Sequence, residues 1–307
     1  MRLVSFTRGE LVKVGLLTSR GILDLAKCYQ QLYDDTAPNW LHSLKSLLSG
    51  GDDALNLVIK LEKKAMELSH PSLFYSESDV KIKPPITDPS KILCVAANYV
   101  AHSKELDIKV PEKPYFFAKF RNALVGHGED ILIPRTSNKV DYEIELAVVI
   151  GKKGKYISKS KAYEHVAGYM VFNDISFRDK QFPLGWPQKL NPYGQNWILG
   201  KSLDTAAPCG PYLVSRDEIG SPYPLKLTLK VNGETRQEGS TDDMFFKIDE
   251  LIEYISDGLT LEVGDIIATG TPAGVAAAGK SYLQHNDTIV CEIEKVGVLK
   301  NRVVKES

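Results

Sequence analysis

The stretch KVDYEIELAVVIGKK, from Lys139 to Lys153, constrains the fold more than any other part of this 307-residue chain. Side chains alternate across a strand, so Asp141, Glu143 and Glu145 would share one face with later apolar residues, while the other face is apolar throughout. A strand that is apolar on both faces is usually covered on both, and an unpaired carboxylate there costs several kcal/mol. The stretch therefore predicts a cation beside these carboxylates, most simply a metal ion. A solvated acidic edge is the alternative.

A second acidic position follows a long apolar run. The stretch HVAGYMVFNDISFRDKQ, from His165 to Gln181, reaches Asp174 where its apolar segment ends. An aspartate here could simply begin a turn. Together with Glu143 and Glu145, however, Asp174 would complete a set of three carboxylates, which favours a hard cation such as Mg²⁺ with water or substrate in its remaining positions.

The stretch AANYVAHSKEL carries a histidine and a glutamate three residues apart. On a helix, His102 and Glu105 would be neighbours on one face. A carboxylate that orients an imidazole and stabilises its charged form makes the histidine a good general base. The pair is therefore a candidate catalytic dyad, and a surface contact is the alternative.

The stretch GDIIATGTPAGV places Gly270 and Thr271 directly after a buried-looking strand. Backbone N–H and hydroxyl groups at such a strand end can donate to a carboxylate or an oxyanion. A plain turn is the alternative.

Other common motifs are absent from the sequence. Lys201 lies in a GKS triplet, but five residues separate Gly194 from Gly200, and the P-loop pattern requires four. There is also no GxSxG, HExxH or GxGxxG sequence. Nucleotide-binding P-loop proteins, common serine hydrolases, zinc proteases and dinucleotide-binding proteins are therefore excluded.

The composition indicates an intracellular protein that acts on small molecules. The 38 basic and 39 acidic residues nearly balance, so neither nucleic acid nor a membrane surface is an expected partner. The four cysteines are scattered without a CxxC pair, which is typical of buried thiols in a reducing compartment. The sequence begins without a signal-peptide core and has no apolar run of about 20 residues. We expect the cytoplasm, or the mitochondrial matrix in a eukaryote.

The pattern of elements predicts an α+β, strand-rich fold. Short strands punctuated by glycine precede a helical pair broken at Gly50 and Gly51, and the Pro-rich connector KIKPPITDPSK follows. Beyond it strands far outnumber helices, which favours a β-sandwich or a closed β-roll over a doubly wound parallel sheet. Helices are expected from Ser158 and from Phe246. We expect a small N-terminal α+β accessory domain at residues 1–80 and a catalytic domain at residues 81–307.

Seven segments, taken in order, resemble the fumarylacetoacetate hydrolase family from about Lys91 to Val303. They are NYVAHSKE, KPYFFAKF, VDYEIELAVVIGK, HVAGYMVFNDISFRDKQ, GKSLDTAAPCGP, VNGETRQ and LEVGDIIATGTPAGV. The order of regions resembles the branch with acylpyruvate hydrolases and oxaloacetate decarboxylases or tautomerases. The resemblance implies a mixed β-sandwich roll, a homodimer, and a bound Mg²⁺, with Mn²⁺ or Ca²⁺ as other possible ions.

The resemblance also implies a role for each candidate residue. Glu143, Glu145 and Asp174 would hold the metal, with Asp141 supporting them. His102 with Glu105 would activate a water on a mobile lid. Lys201 would stabilise charge in the pocket, and Arg178 and Gln181 would contact the substrate. Gly270 and Thr271 would bind a substrate carboxylate. The segment between Gln181 and Ile198 is expected to shape the pocket rim.

The function that the resemblance implies is cleavage of a carbon–carbon bond. A divalent-metal-dependent hydrolase of the acylpyruvate or fumarylacetoacetate type would act on a small 2-oxo or 2,4-dioxo acid through a metal-stabilised enolate. Three alternatives stay open: an oxaloacetate decarboxylase or tautomerase, a 2-hydroxyhepta-2,4-diene-1,7-dioate isomerase, and a non-catalytic metal-containing binding module.

Overall fold

The computed structural model describes residues 1–68, 70–182 and 194–306. The strands of these residues are β1 (Arg2–Thr7), β2 (Val12–Thr18), β3 (Gly21–Asp24), β4 (Phe74–Tyr75), β5 (Lys81–Lys83), β6 (Ile92–Ala96), β7 (Tyr115–Lys119), β8 (Leu124–Val125), β9 (Asp130–Ile133), β10 (Val140–Asp141), β11 (Ile144–Ile150), β12 (Val166–Asn173), β13 (Ser176–Phe177), β14 (Ala207–Ser215), β15 (Lys226–Val231), β16 (Glu234–Ser240), β17 (Ile266–Ala268), β18 (Thr288–Ile293) and β19 (Gly297–Lys305).

The α-helices of the same residues are fewer. They are α1 (Leu25–Tyr33), α2 (Leu44–Ser49), α3 (Gly51–Leu68), α4 (Val100–Glu105), α5 (Arg178–Gln181), α6 (Trp197–Lys201), α7 (Arg216–Ile219) and α8 (Ile248–Ser256). Segments of 3₁₀ helix lie at Asn39–His42, Pro71–Leu73, Glu77–Asp79, Arg121–Ala123, Lys159–His165, Thr241–Asp243 and Ala276–Ala278.

A large mixed sheet forms the frame of the molecule. Its strands follow the order β4-β3-β2-β1-β14-β12-β11-β17-β6-β7, with β5 beside β1 and β8 beside β14. Most neighbours are antiparallel, but β17 with β6 and β14 with β8 are parallel. The predicted strand-rich α+β class is confirmed, but a closed roll is not formed: β4 and β7 end the main order without pairing to each other, so the main sheet stays open.

A second sheet packs against the centre of the first. Its order is β16-β15-β18-β19-β9, and β15, β18 and β19 contact β11, β12 and β14. The central strand β11 is therefore covered on both faces, and all seven of its residues are buried. This agrees with the apolar pattern on both sides of that strand in the sequence.

The continuous strand predicted through Asp141, Glu143 and Glu145 is wrong in one respect. The chain leaves β10 after Asp141 and enters β11 at Ile144, and β10 pairs with β13 in a separate small sheet. At the break, the Glu143 backbone N–H donates to the Asn173 side chain at 3.0 Å, and its carbonyl accepts from the Asp174 N–H at 2.8 Å. One backbone-to-side-chain bond and one backbone-to-backbone bond therefore connect Glu143 to the end of β12 at this break.

Most predicted helices are confirmed. The helical pair becomes α2 and α3, divided at Gly50 and Gly51, and the helix expected from Phe246 is α8. The helix expected from Ser158 is a 3₁₀ helix over Lys159–His165. Strand β1 pairs with β14, so hydrogen bonding runs from the N-terminal region into the main sheet, and the predicted division at residue 80 stays a prediction.

The four cysteines are buried free thiols, as expected. Among the described residues, each helix is too short or too polar to cross a bilayer.

Candidate active site

Three buried carboxylates meet where β11 and β12 lie side by side. Glu145 lies within β11, Glu143 immediately precedes it, and Asp174 immediately follows β12. One carboxylate oxygen from each lies within 4.8 Å of those of the other two. The antiparallel pairing of Ile144 with Asn173 explains this proximity, because it brings the start of one strand beside the end of the other.

Two buried lysines neutralise part of this negative charge. Lys201 Nζ donates to Glu143 Oε2 at 2.8 Å and to Asp174 Oδ2 at 2.6 Å. Lys119 Nζ donates to Asp174 Oδ1 at 2.6 Å and to the Ile175 carbonyl at 3.1 Å. Each oxygen of Asp174 therefore accepts from a different lysine.

Arg178 joins the carboxylate cluster from α5. Its Nη2 donates to Glu143, its Nε donates to Asp141 Oδ2 at 2.9 Å, and its Nη1 donates to Gln181 Oε1 at 3.0 Å. All three guanidinium nitrogens thus have protein partners. In this structure Arg178 orients carboxylates, and the substrate contact expected of it stays a prediction.

The surroundings move the pKa values of these groups in opposite directions. Burial raises the pKa of Glu145 well above its usual range, and the negative charges of Asp174 and Glu143 raise it further. Burial also opposes ionisation of Glu143, but the charges of Lys201 and Arg178 outweigh it and lower the pKa of that carboxyl. Burial would lower the pKa of Lys201, yet Asp174 and Glu143 raise it, so its ammonium stays charged.

The donor set fits a divalent cation. Among the described residues, the cluster combines four buried carboxylates, those of Asp141, Glu143, Glu145 and Asp174, with three buried cations. One carboxylate is left unbalanced. The single hydrogen bond that Glu145 accepts within the described chain comes from the Gly270 N–H at 2.7 Å, so this is the carboxylate most in need of a cation. Oxygen donors of this kind are those that Mg²⁺, Mn²⁺ and Ca²⁺ use.

The predicted dyad forms on helix α4. His102 Nδ1 lies 2.9 Å from Glu105 Oε1, and the other oxygen of Glu105 accepts from the Gly274 N–H at 2.8 Å. His102 is 7 % exposed and lines the same cavity as Glu143 and Glu145. With Nδ1 directed at Glu105, the imidazole keeps Nε2 for a water or a substrate atom.

The cavity has a charged floor and an apolar wall. Its volume is about 680 Å³. The aromatic side chain of Trp197 stacks on Phe117 with ring centroids 4.6 Å apart, and Lys201 Nζ lies 5.1 Å from the centre of the Phe117 ring. The apolar lining consists mainly of Leu106, Ile108, Tyr115, Phe117, Phe182 and Trp197.

Seven of the ten predicted site residues line this cavity, and three lie behind its surface. The seven are His102, Glu143, Glu145, Arg178, Gln181, Lys201 and Thr271, and the three are Glu105, Asp174 and Gly270. The Gly270 N–H is already bonded to Glu145, and the Thr271 hydroxyl donates to the Ile144 carbonyl at 2.8 Å. Their expected role toward a substrate carboxylate stays a prediction.

Residues 183–193 of the expected pocket rim lie outside the described chain, whereas Gln195 and Trp197 line the cavity.

Three buried polar residues of the site were not singled out from the sequence: Lys119, Asn98 and Gln237. All three lie inside segments that carried the family resemblance. A lysine or an amide within an otherwise apolar or strand-like run is the signal that could have found them, since such residues are rarely buried without a partner.

Comparisons with known proteins agree on one family. A sequence model described as "Fumarylacetoacetate (FAA) hydrolase C-terminal" matches residues 91–304. The chain is 40% identical to the mitochondrial oxaloacetate tautomerase FAHD2A of Homo sapiens over 310 residues, which cover 99% of this chain and 92% of the human protein. It is 41% identical to the oxaloacetate tautomerase YisK of Bacillus subtilis over 315 residues, which cover 98% of this chain and all of that protein.

The fold is also similar to that of a solved enzyme with bound metal. The maleylpyruvate hydrolase from Sphingobium sp. SYK-6, in complex with manganese(II) ion and pyruvate, superposes with a TM-score of 0.75 over the full length of both chains at 27% identity.

Proposed function

The chain belongs to the fumarylacetoacetate hydrolase family, and from that premise we propose that it interconverts the enol and keto forms of oxaloacetate with the help of a divalent cation. Family membership makes it an enzyme acting on a small molecule. The choice of reaction is supported by two relatives of about 40% identity that are named oxaloacetate tautomerases and align along nearly the whole chain.

One observation carries the proposal. A metal-type carboxylate cluster and a carboxylate-oriented histidine face the same cavity, through Glu143 and Glu145 on the one side and His102 on the other. Catalysis of the tautomerisation of a 2-oxo acid can use both groups, because negative charge is stabilised on oxygen while a proton moves at the adjacent carbon.

Glu143, Glu145 and Asp174 would hold the cation. When bound, it would polarise the 2-oxo group and the neighbouring carboxylate of the substrate. Lys119, Lys201 and Arg178 orient Glu143, Asp174 and Asp141, since each of these cations donates to one or two of their oxygens. Although burial opposes ionisation of Glu143, the charges of Lys201 and Arg178 lower the pKa of that carboxyl.

The dyad would carry the proton. In the enol-to-keto direction the substrate loses the proton of its O–H group and gains one at C3. His102 can deliver or accept a proton through Nε2, and Glu105 stabilises the charged imidazole through Nδ1. The reverse direction uses the same atoms in the opposite order.

Lys201 would help to neutralise the substrate. Its ammonium is buried at the cavity floor and stays charged, because Asp174 and Glu143 raise its pKa. A third donor remains on this nitrogen after its two bonds to those carboxylates, and that donor can stabilise negative charge on a substrate oxygen. The Phe117 and Trp197 rings beside it lower the local dielectric constant and strengthen the interaction.

A second candidate is hydrolysis of a carbon–carbon bond in a 2,4-dioxo acid. The apolar wall favours it, because a four-carbon diacid such as oxaloacetate has no group that would use the Tyr115, Phe117 and Trp197 side chains. In that reaction His102 would deprotonate a water instead of a substrate atom. The homodimer and the intracellular location expected from the sequence stay predictions.

The test is a panel of substrates assayed with Mg²⁺, with Mn²⁺ and with excess EDTA. Decay of enol-oxaloacetate is followed in the ultraviolet, while release of carbon dioxide and of pyruvate is read separately with coupled enzymes. An acylpyruvate and a hydroxy-diene-dioate complete the panel. We expect metal-dependent decay of the enol that is faster than the uncatalysed rate, without carbon dioxide release.

Two variants are assayed with the same substrates. Glu145→Gln should lose the activity because it removes a metal ligand. Asp265→Asn is its matched control, since Asp265 is a buried carboxylate that pairs with Lys91 at 2.7 Å outside the cavity. Enol decay at the uncatalysed rate with every metal would refute the proposal. If the only activity found is release of pyruvate from the acylpyruvate, the tautomerase proposal would be replaced by the second candidate, hydrolysis of a carbon–carbon bond.

A further inference from the structure

One loop supplies backbone donors to several carboxylates of the site. Between residues 270 and 277, the Gly270 N–H donates to Glu145 at 2.7 Å and the Gly274 N–H donates to Glu105 at 2.8 Å. The N–H groups of Ala276 and Ala277 donate to the two oxygens of Asp141 at 2.6 and 3.0 Å. A metal ligand, the dyad and the carboxylate that holds Arg178 therefore all depend on the position of this one loop.

The loop is fixed by a buried amide from the other sheet. Gln237 lies on β16, the edge strand of the five-stranded sheet, and is 1 % exposed. Its Nε2 donates to Thr271 Oγ1 and to the Pro272 carbonyl, both at 2.8 Å. Both amide hydrogens of Gln237 are thus used on the loop.

The same amide also reaches the metal ligands. Gln237 Oε1 accepts from the N–H of Ile144 at 3.0 Å, and Ile144 is the residue between Glu143 and Glu145. The Gln237 side chain therefore connects two parts of the site. One is the backbone at Ile144, between Glu143 and Glu145, and the other is the loop at residues 270–277, whose Gly270 N–H donates to Glu145. Outer partners of this kind commonly change metal affinity or activity about 10- to 100-fold when they are removed.

Strand β16 and the loop also pack without spare room. A Cβ atom at Gly274, where φ is +111°, would lie 2.2 Å from the Arg236 carbonyl oxygen, and a Cβ at Gly239 would lie 2.6 Å from the Pro272 Cβ. The loop cannot approach β16 more closely, and the Gln237 hydrogen bonds oppose its moving away. Its position is therefore defined in both directions.

From these contacts we infer that Gln237 is a positioning residue, which sets the geometry of Glu145 and of the His102–Glu105 dyad through the loop at residues 270–277. The inference about the dyad rests on the proposed function. The inference about Glu145 can be tested by metal binding alone.

The experiment compares Gln237→Met with Asn301→Leu. Asn301 is a matched control because it is also a buried amide, is 3 % exposed, and donates at 2.8 Å to two backbone carbonyls, those of Gly126 and Glu129, but does not line the cavity. For each variant, the Mn²⁺ dissociation constant is measured by electron paramagnetic resonance, kcat and KM by the assay that the wild type supports, and Tm by circular dichroism.

We expect Gln237→Met to weaken Mn²⁺ binding about tenfold and to lower kcat at least tenfold, with KM within about threefold of the wild type. Asn301→Leu should lower Tm by a similar amount and leave the dissociation constant and kcat unchanged. Gly239→Ala is a second variant in case Gln237→Met does not fold. It presses on Pro272 without opening a buried amide site, and it should lower kcat in the same direction.

Two outcomes would overturn the inference, and a third would separate it from the proposed function. Unchanged Mn²⁺ binding and kcat in folded Gln237→Met, or in folded Gly239→Ala if Gln237→Met does not fold, would overturn the inference. Equal losses in the Asn301 control would also overturn it, since they would reflect general destabilisation. If the wild type turns over none of the substrates, the proposed function fails, whereas a selective loss of Mn²⁺ affinity in Gln237→Met would still support the role of Gln237 toward Glu145.

Discussion

At the scale of single residues, the site is a group of buried charges of which all but that of Glu145 have a partner of opposite charge, and Lys119 is one of these partners. Its side chain is entirely buried, and it donates to one oxygen of Asp174 and to the Ile175 carbonyl. A complete buried ion pair adds little net stability, but removing one partner leaves the other charge uncompensated. A bound cation can take over part of that compensation.

Lys119→Met should therefore lower the free energy of unfolding by about 3 kcal/mol without metal, and by less with saturating Mn²⁺. Urea denaturation with and without the metal measures both values. Lys91→Met is the control, because Lys91 also pairs with a buried aspartate, Asp265, outside the cavity. An equal loss for Lys119→Met in both conditions would argue against a cation that shares the charge of Asp174.

The dyad makes a second prediction at this scale. Glu105→Gln keeps the shape of the side chain but removes the charge that stabilises the imidazolium of His102, so kcat should fall about 10²- to 10³-fold. KM should change little, because Glu105 does not line the cavity. Glu112→Gln, at an exposed glutamate that pairs with Lys109, serves as the control in steady-state assays. A kcat within twofold of the wild type would remove the dyad from the reaction.

At the scale of elements, the start of helix α4, which carries His102 and Glu105, is held by the side chain of Asn98. Asn98 Nδ2 donates to the carbonyls of Thr269 and Phe246 at 2.8 and 3.0 Å, and its Oδ1 accepts from the Phe246 N–H at 2.7 Å. Asn98 thereby joins the end of β6, the end of β17 and the approach to α8. The position of His102 depends on this junction.

Asn98→Ala should destabilise the protein by about 3 kcal/mol, because it leaves three backbone groups that are largely shielded from water without partners. Asn122→Ala is the control: that exposed side chain also donates to two oxygens, and its loss should cost less than about 1 kcal/mol. Equilibrium unfolding in guanidinium chloride compares them. Equal effects would mean that Asn98 is not a junction.

At the scale of elements, some contacts of the site can be predicted from the sequence and others cannot. That Glu143, Glu145 and Asp174 lie together is predictable from strand ends beside buried apolar runs, although Glu143 lies in the break before β11 and not within a continuous strand. The partners of Lys119 and Gln237 are not predictable in this way, because the tertiary fold brings them together from distant parts of the chain. At the break between β10 and β11, the Glu143 N–H donates to the side chain of Asn173, which lies 30 residues away in the sequence. Local patterns carry no information about such contacts.

At the scale of the whole molecule, the N-terminal region and the remainder share one sheet and one core. Strand β1 pairs with β14 on one side and with β2 and β5 on the other, and Leu3, Val4 and Phe6 are buried in the common core. The human relative aligns along 99% of the chain, so this N-terminal region is common to both proteins. The role of this N-terminal region as an accessory domain stays a prediction, and the continuous sheet makes its independent folding a question for experiment.

Because the sheet is continuous, the protein should unfold in one cooperative transition when it is heated. Differential scanning calorimetry at two scan rates measures this, with the ratio of calorimetric to van't Hoff enthalpy near unity for a monomeric unit. Two separate transitions would instead support an N-terminal domain that folds independently at residues 1–80.

The most direct test of the central claim is the binding of Mn²⁺ to the metal-free protein, measured by electron paramagnetic resonance. We expect one ion per chain, a loss of affinity of at least tenfold in both Glu145→Gln and Asp174→Asn, and unchanged affinity in the control Asp265→Asn. Equal Mn²⁺ affinity in all four proteins would contradict the assignment of Glu143, Glu145 and Asp174 as the metal site.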